Sequence, residues 1–278
     1  MSLTNRALWV IDRNLGSDLT LAGIAQACGV SRHHLAHAFG ETVGQPVMAY
    51  LRARRLTEAA RALTFGAGSI LDLALESRYG SHEAFTRAFR AQFGLTPEQV
   101  RRGASLDGLA LTGPATLTNG PAPAEAPPSI QAAGPVLAAG IAQSYDFGEL
   151  GAIPSQWRRF MPLLGELALR RGAIPIGVLT PADDSGRFEY VCAAEVADFT
   201  NLPPGVCRLR LPAATYAVFQ HPGHISAIRA TYARIWNHWP CEGAAAAAPS
   251  LERHNPRFDP ATGLGGVTIW IPLEPVPF

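Results

Sequence analysis

Two stretches of the chain, about 50 residues apart, repeat one pattern, and that repeat constrains the first hundred residues more than any other feature. In the first stretch Thr20 stands ready to cap a helix whose apolar positions are Leu21, Ile24, Ala25 and Cys28. In the second, Ser69 precedes Ile70, Leu73, Ala74 and Ser77. Both follow the i, i+3, i+4, i+7 spacing that places side chains on one helical face, behind a residue whose oxygen can satisfy an orphan N–H. A short turn follows, Gly29-Val30 in one copy and Arg78-Tyr79-Gly80 in the other. A second serine, Ser31 or Ser81, then opens another helix, expected to bury Leu35 and Phe39 in the first copy and Phe85 and Phe89 in the second. Each copy closes on a glycine, Gly44 or Gly94, with Pro46 or Pro97 close behind.

Short helix, tight turn, second helix is the helix-turn-helix pattern. Such a unit lays the exposed face of its second helix in the major groove of double-stranded DNA. The period turns Arg32, His33, Ala36, His37 and Gly40 outward in the first copy, and His82, Glu83, Thr86, Arg87 and Arg90 in the second. Arginine can pair with guanine O6 and N7, and glutamate can accept from cytosine N4. Residues 46–64 between the copies read as one long helix with a core stripe of Leu56, Ala59, Ala60 and Leu63 and with Arg52, Arg54, Arg55 and Arg61 around it. A rigid rod there would space two units for successive major grooves, ~34 Å apart. His33 and His37 lie one turn apart, as metal ligands can, but nothing at a suitable spacing completes a set, so DNA-facing or solvated histidines are expected and no metal.

Proline marks where this helical part ends. Residues 1–106 hold only Pro46 and Pro97, whereas 107–130 hold Pro114, Pro121, Pro123, Pro127 and Pro128 with no helical or strand period. The reading is a DNA-binding domain at 1–106, an extended Pro-rich linker at 107–130 and a second domain at 131–278. The formal net charge of +1 conceals a split at that boundary. The first 106 residues carry 12 Arg against 8 acidic residues, or +4, and the remainder 11 Arg against 14, or −3. All 23 basic residues are Arg, which excludes Walker-type phosphate loops, Schiff-base chemistry and kinase mechanisms that need a lysine. The start of the chain lacks the apolar core of a signal peptide, and no apolar run approaches the ~20 residues of a membrane span. Cys28, Cys192, Cys207 and Cys241 are scattered, which fits a reducing cytoplasm better than a disulfide framework or a zinc site.

The second domain alternates strand and helix. Residues 136–142 form a short apolar run, 154–171 read as a helix, and 176–179 and 188–193 as strands. A second cycle follows, with a strand at 216–220, a helix at 225–239 and strands at 250–253 and 267–271. Two β-α-β-β units predict a pseudo-twofold α+β domain. Residues 243–250, with five consecutive alanines, read as a loop insertion. No G-x-S-x-G, H-E-x-x-H or glycine-rich fingerprint is present, so no catalytic residue, enzyme activity or cofactor is expected. Aromatic residues recur among few charges: Trp157, Tyr190, Tyr216, Phe219, Trp236, Trp239 and Trp270. Singly each reads as core. Together with one buried carboxylate, for which Glu252 is the best placed, they would suit a lipophilic cation.

The segment from Trp9 to Arg102 resembles the AraC-type DNA-binding domain. The resemblance is carried by Ile24-Ala25, Gly29, Ser31, Leu35, Phe39, Tyr50, Arg55-Leu56 and Ala59, then by Ile70, Leu73-Ala74, Tyr79, Ser81, Phe85, Arg87, Phe89, Phe93-Gly94 and Thr96-Pro97. It implies two helix-turn-helix units in one chain and transcriptional regulation. His37 stands where the family usually has Arg, and Arg78 where it usually has Gly. Residues 130–275 resemble the GyrI-like effector-binding domain through Ile153-Pro154, Trp157, Phe160, Tyr216 to Phe219, His221, Gly223, Glu252, Phe258 to Pro260, Thr262-Gly263 and Ile269 to Leu273. That resemblance implies a small-molecule site, with Glu252 as its glutamate. Trp157, Tyr190, Tyr216 and Trp270 are the aromatic residues expected around the effector. The expected molecule is a one-component regulator whose effector shifts DNA affinity or contact with RNA polymerase. The alternatives are a hydrolase of a reactive small molecule fused to a DNA-binding domain, and a second domain that contacts another protein.

Overall fold

A computed structural model describes residues 2–66, 68–103, 105–115, 127–169, 174–183, 185–239 and 248–273. The chain forms two compact units, Met1–Arg32 with Pro46–Gly120, and His33–Gln45 with Pro121–Phe278. Its helices run α1 (Leu3–Arg13), α2 (Leu21–Ala27), α3 (Arg32–Val43), α4 (Val47–Thr64), α5 (Ile70–Glu76), α6 (His82–Phe93) and α7 (Pro97–Gly103), and α3 belongs from His33 onward to the second unit.

In the first unit the caps sit where the sequence places them. Thr20 accepts from the Gly23 N–H at 3.1 Å, Ser69 from those of Leu71 and Asp72, and Ser81 from that of Ala84 at 3.2 Å. Thr96 and Gln99 form a reciprocal capping box at the start of α7, with Pro97 in the first turn, where its missing N–H costs nothing. The turn after α5 needs a left-handed residue, and Arg78 supplies it at φ 66°, as Gly29 does at φ 70° after α2. The arginine side chain compensates by donating from Nε to the Gly16 carbonyl at 2.7 Å and by pairing with Asp18 at 3.4 Å.

The core stripe of α4 (Leu56, Ala59, Ala60 and Leu63) packs with Leu73 and Ala74 of α5, Phe85, Phe89 and Phe93 of α6 and Val100 of α7. Two arginines of α4 do structural work. Arg54 is buried, held by Asp12 at 2.7 Å and Glu58 at 2.9 Å, and Arg55 donates to the carbonyls of Leu15 and Ser17. Residues 107–115, expected to begin an extended linker, lie along the core instead. Leu106, Leu109 and Leu111 pack against it, Thr112 N–H donates to Thr57 Oγ1 at 3.0 Å, and Ala115 N–H donates to the Tyr50 hydroxyl at 3.0 Å.

The second unit is built on one eight-stranded antiparallel sheet. Its strands are β1 (Ser129–Ala133), β2 (Val136–Tyr145), β3 (Pro175–Leu179), β4 (Phe188–Glu195), β5 (Cys207–Leu211), β6 (Ala214–His221), β7 (Ser250–His254) and β8 (Val267–Pro272), in the order β1-β6-β8-β7-β3-β4-β2-β5. Helix α8 (Ile153–Phe160) follows β2, and α9 (Ile228–His238) follows β6. The expected β-α-β-β units are therefore present as β2-α8-β3-β4 and β6-α9-β7-β8. Their first-listed strands are extended by β5 and β1, which the sequence reading did not contain, and each of these joins the opposite unit. β7 and β3 meet at the centre of the order.

Helix α8 stops well short of the expected 154–171. Pro162 cannot donate to the carbonyl four residues back, and the chain tightens into a 3₁₀ turn over Met161–Glu166. The expected helix at 225–239 is α9 preceded by one 3₁₀ turn over Ile225–Ala227. Most of the loop expected at 243–250 lies outside the described residues. Among the described residues no helix is long and apolar enough to cross a membrane.

Candidate functional site

Strand pairing decides which side chains share a face. Gly177 of β3 lies opposite both Glu252 of β7 and Cys192 of β4, and Glu252 lies opposite Ile269 of β8. Tyr190, two residues before Cys192, falls on that same face by strand alternation. Its hydroxyl donates to Glu252 Oε2 at 2.6 Å, and the Tyr232 hydroxyl, from α9, donates to Oε1 at 3.1 Å. Trp157 of α8 donates from Nε1 to the Tyr190 oxygen at 3.0 Å. Behind it, Gln156 fixes α8 to the sheet by donating to the carbonyls of Ile141 and Tyr190 and accepting from the Tyr145 hydroxyl.

Glu252 is 8% exposed. Burial raises its carboxyl above the ordinary range, and the two tyrosine donors offset only part of that. Among the described residues it has no ion pair. Two phenols hold this buried carboxyl, and no cation among the described residues neutralises it. Gly177 lets the tyrosine hydroxyl reach the carboxylate, because a Cβ there would lie 2.3 Å from the Tyr190 oxygen and 3.0 Å from Glu252 Oε2.

The structure thus brings together three of the five residues expected at the effector: Glu252, Tyr190 and Trp157. It separates Tyr216 and Trp270 from them. Trp270 pairs opposite Leu251 and Val218, so these two aromatics occupy the other face of the sheet, where their rings meet at 5.6 Å and Arg253 lies over Trp270. They pack there with Val178, Val191 and Leu251 as ordinary core. Tyr232 and Gly177 belong to the site and were not singled out. The i, i+4 pair Tyr232–Trp236 on the α9 stripe was the available signal for Tyr232.

The expected DNA-facing residues also divide. On α6 the outward arc is as the period requires: His82, Glu83, Arg87 and Arg90 are exposed and Thr86 is half-buried, while Phe85 and Phe89 face the core. Glu83 is held below the usual carboxylate range by its own backbone N–H and the Ser81 hydroxyl. On α3 only Arg32 of the expected arc is exposed; His33, Ala36, His37 and Gly40 are buried. The reason is packing inside the second unit. The His37 ring stacks on Trp236 at 4.8 Å and meets Phe147 edge-on at 5.7 Å, and the His33 ring meets Trp236 at 5.5 Å. Among the described residues no three or more His, Cys, Asp or Glu side chains form a metal-binding group.

Residues 126–274 match the GyrI-like small molecule binding domain, and residues 24–103 match a helix-turn-helix domain. Transcriptional regulator Rob of Salmonella typhimurium is 38% identical over 110 residues, covering 40% of this chain and 38% of that protein. The right origin-binding protein of Escherichia coli is 42% identical over 95 residues, covering 34% of this chain and 32% of that protein. The chain thus spans between about a third and two fifths of these curated relatives. The structure of SAV2435 bound to tetraphenylphosphonium aligns at 17% identity and a TM-score of 0.44, covering 53% of this chain and 93% of that one.

Proposed function

We infer that this chain, which belongs to the AraC-type helix-turn-helix regulators carrying a GyrI-like small molecule binding domain, is a one-component transcriptional regulator: its first hundred residues bind DNA, and its second unit senses a small lipophilic cation. The observation that carries the sensor is Glu252, buried between the hydroxyls of Tyr190 and Tyr232 with no counter-charge among the described residues. A cation entering there gains Coulomb attraction in a medium of low polarity and the faces of Trp157 and the tyrosines. A hydrated metal ion would have to shed its water for one carboxylate and two phenols, so an organic cation with little hydration to lose fits better.

The observation that supports DNA binding is the exposed arc of α6, where Arg87 stands one turn and Arg90 two turns from Glu83, with His82 beside it. A cytoplasmic location goes with that role, as does a contact with RNA polymerase if the regulator activates. The test has two arms. A thermal-shift screen of organic cations on the full chain should yield hits that disappear in Glu252→Gln. A screen with no hits, or hits indifferent to Glu252, removes the sensor. Selected duplex DNA should bind with an affinity that falls steeply with salt; salt-independent binding, or none, removes the regulator.

A further inference from the structure

Helix α3 carries the second helix of the first helix-turn-helix copy, yet the positions expected to face DNA are the ones the second unit buries. His33 is 9% exposed and His37 3%. The contacts are extensive. Beyond the His37 stack, His34 Nε2 lies 2.6 Å from the Trp236 carbonyl, Asn237 donates to Thr42 Oγ1 at 2.8 Å, and Arg229 Nε lies 3.6 Å from Glu41 Oε2. Gly40 lets the Phe147 ring lie flush against the helix, since a Cβ there would come within 2.3 Å of it.

The same contact is poor in polar terms. Both ring nitrogens of His37, Nδ1 of His33 and Nε1 of Trp236 are buried with no hydrogen-bond partner among the described residues. Native cores leave few such groups, and each one marks a surface that would be better satisfied elsewhere. Two imidazoles are suited to water or to a nucleic acid, not to an aromatic wall. Burial holds both histidines neutral, so that His37 lies on Trp236 as a flat, uncharged heteroaromatic ring.

One helix joins this wall to the carboxylate. On α9, Arg229 and Trp236 hold α3, and Tyr232 between them holds Glu252. We propose that α3 is an internal competitor of the effector: His37 occupies the aromatic wall of Trp236, Phe147 and Phe188 that a flat organic cation takes, and the arriving cation expels α3 and frees its DNA-facing arc. The proposal rests on the sensor reading for the ligand, but its helix-release step does not need one. The cation's positive charge is drawn by Glu252, and its ring replaces His37 on Trp236. The arc of α6 is exposed in either state, so the ligand changes the number of helices available to the groove from one to two.

The experiment follows hydrogen exchange of residues 33–43 in the full chain, together with affinity for a duplex selected from a random pool. Gly40→Ala favours the helix itself while its methyl collides with Phe147. Without ligand it should speed α3 exchange and tighten DNA binding by about tenfold. Asn237→Ala, which leaves the sheet and Gly40 untouched, should shift both in the same direction by about threefold. Rhodamine 6G, followed by fluorescence anisotropy and then by exchange without DNA present, should deprotect α3 in the wild type. Unchanged α3 exchange in both variants overturns the proposal. So does rhodamine 6G that binds through Glu252 yet leaves α3 protected, an outcome that spares the sensor. If the dye fails to bind while both variants loosen α3 and tighten DNA binding, helix release stands and the sensor reading falls.

Discussion

The Tyr190 hydroxyl reaches Glu252 Oε2 at 2.6 Å across the face of Gly177, and the contact exists only because residue 177 has no Cβ. One glycine in the middle of a strand therefore makes room for the hydrogen bond that orients the carboxylate. Gly177→Ala should displace the tyrosine ring, cost about 1–3 kcal/mol as overpacking does, and abolish cation binding. A melt of the full chain and a titration with any hit from the cation screen check it; undiminished binding would mean the ligand does not use this face.

Glu41 gives the protein a pH signature. Burial, reinforced by the charge of Glu252 and opposed by Arg229, raises its carboxyl to about 7 from 4.5. Between those values the folded chain keeps a proton that the unfolded chain releases, so stability falls as pH rises through the window. His37 and Tyr232 lie beside it, and the lowered histidines act in the opposite sense below pH 6.5, so the variant comparison is the clean measure. Relative to Glu41→Gln, the wild type should lose about 3 kcal/mol between pH 4.5 and 7.5. Parallel melting curves across that range would rule this out.

Arg87 and Arg90 should behave differently on DNA. If Arg87 reads a base edge, Arg87→Ala costs about 1–3 kcal/mol on the preferred duplex and less on others. Arg90→Ala should weaken all duplexes alike and reduce the salt slope by about one. Equal effects of the two variants would show that neither reads sequence.

Arg78 sits at φ 66° and holds Gly16 and Asp18 with its guanidinium. Arg78→Ala keeps the backbone strain and loses both contacts, and should cost about 1 kcal/mol. Arg78→Gly relieves the strain while losing the same contacts, and should come out near neutral. The order of the two melting temperatures is the measurement, and alanine above glycine contradicts the account.

The first unit was legible because its signals are local. Thr20, Ser69 and Ser81 each cap within three residues, and the left-handed turn at Arg78 could be read by laying it over Gly29. The burial of α3 could not be read that way. The period of a helix gives its faces, but what covers a face is a tertiary matter, and the partner of His34 lies 202 residues away. In the second unit, Glu252 could be picked out as an acid in a short strand after Ser250-Leu251, where the resembled domain has its glutamate. That Trp270 turns away from it was hidden, because alternation fixes the faces within a strand while register between strands decides which faces coincide. Strands β1 and β5 escaped for a related reason. β1, with serine and glutamine, is mostly exposed, and the two arginines of β5 interrupt any apolar run although Cys207, Leu209 and Leu211 face the core.

The exchange of β1 and β5 between the two halves of the sheet has a consequence for how the second unit can come apart. Each half has given its outermost strand to the other, so neither possesses a complete boundary of its own. A half folding alone would present a raw edge to solvent, and the other would present one to match. Gly177 and Glu252 face each other across the line where the halves join. A molecule bound there acts as a rivet through that seam, and tightening it draws on the cohesion of the whole domain.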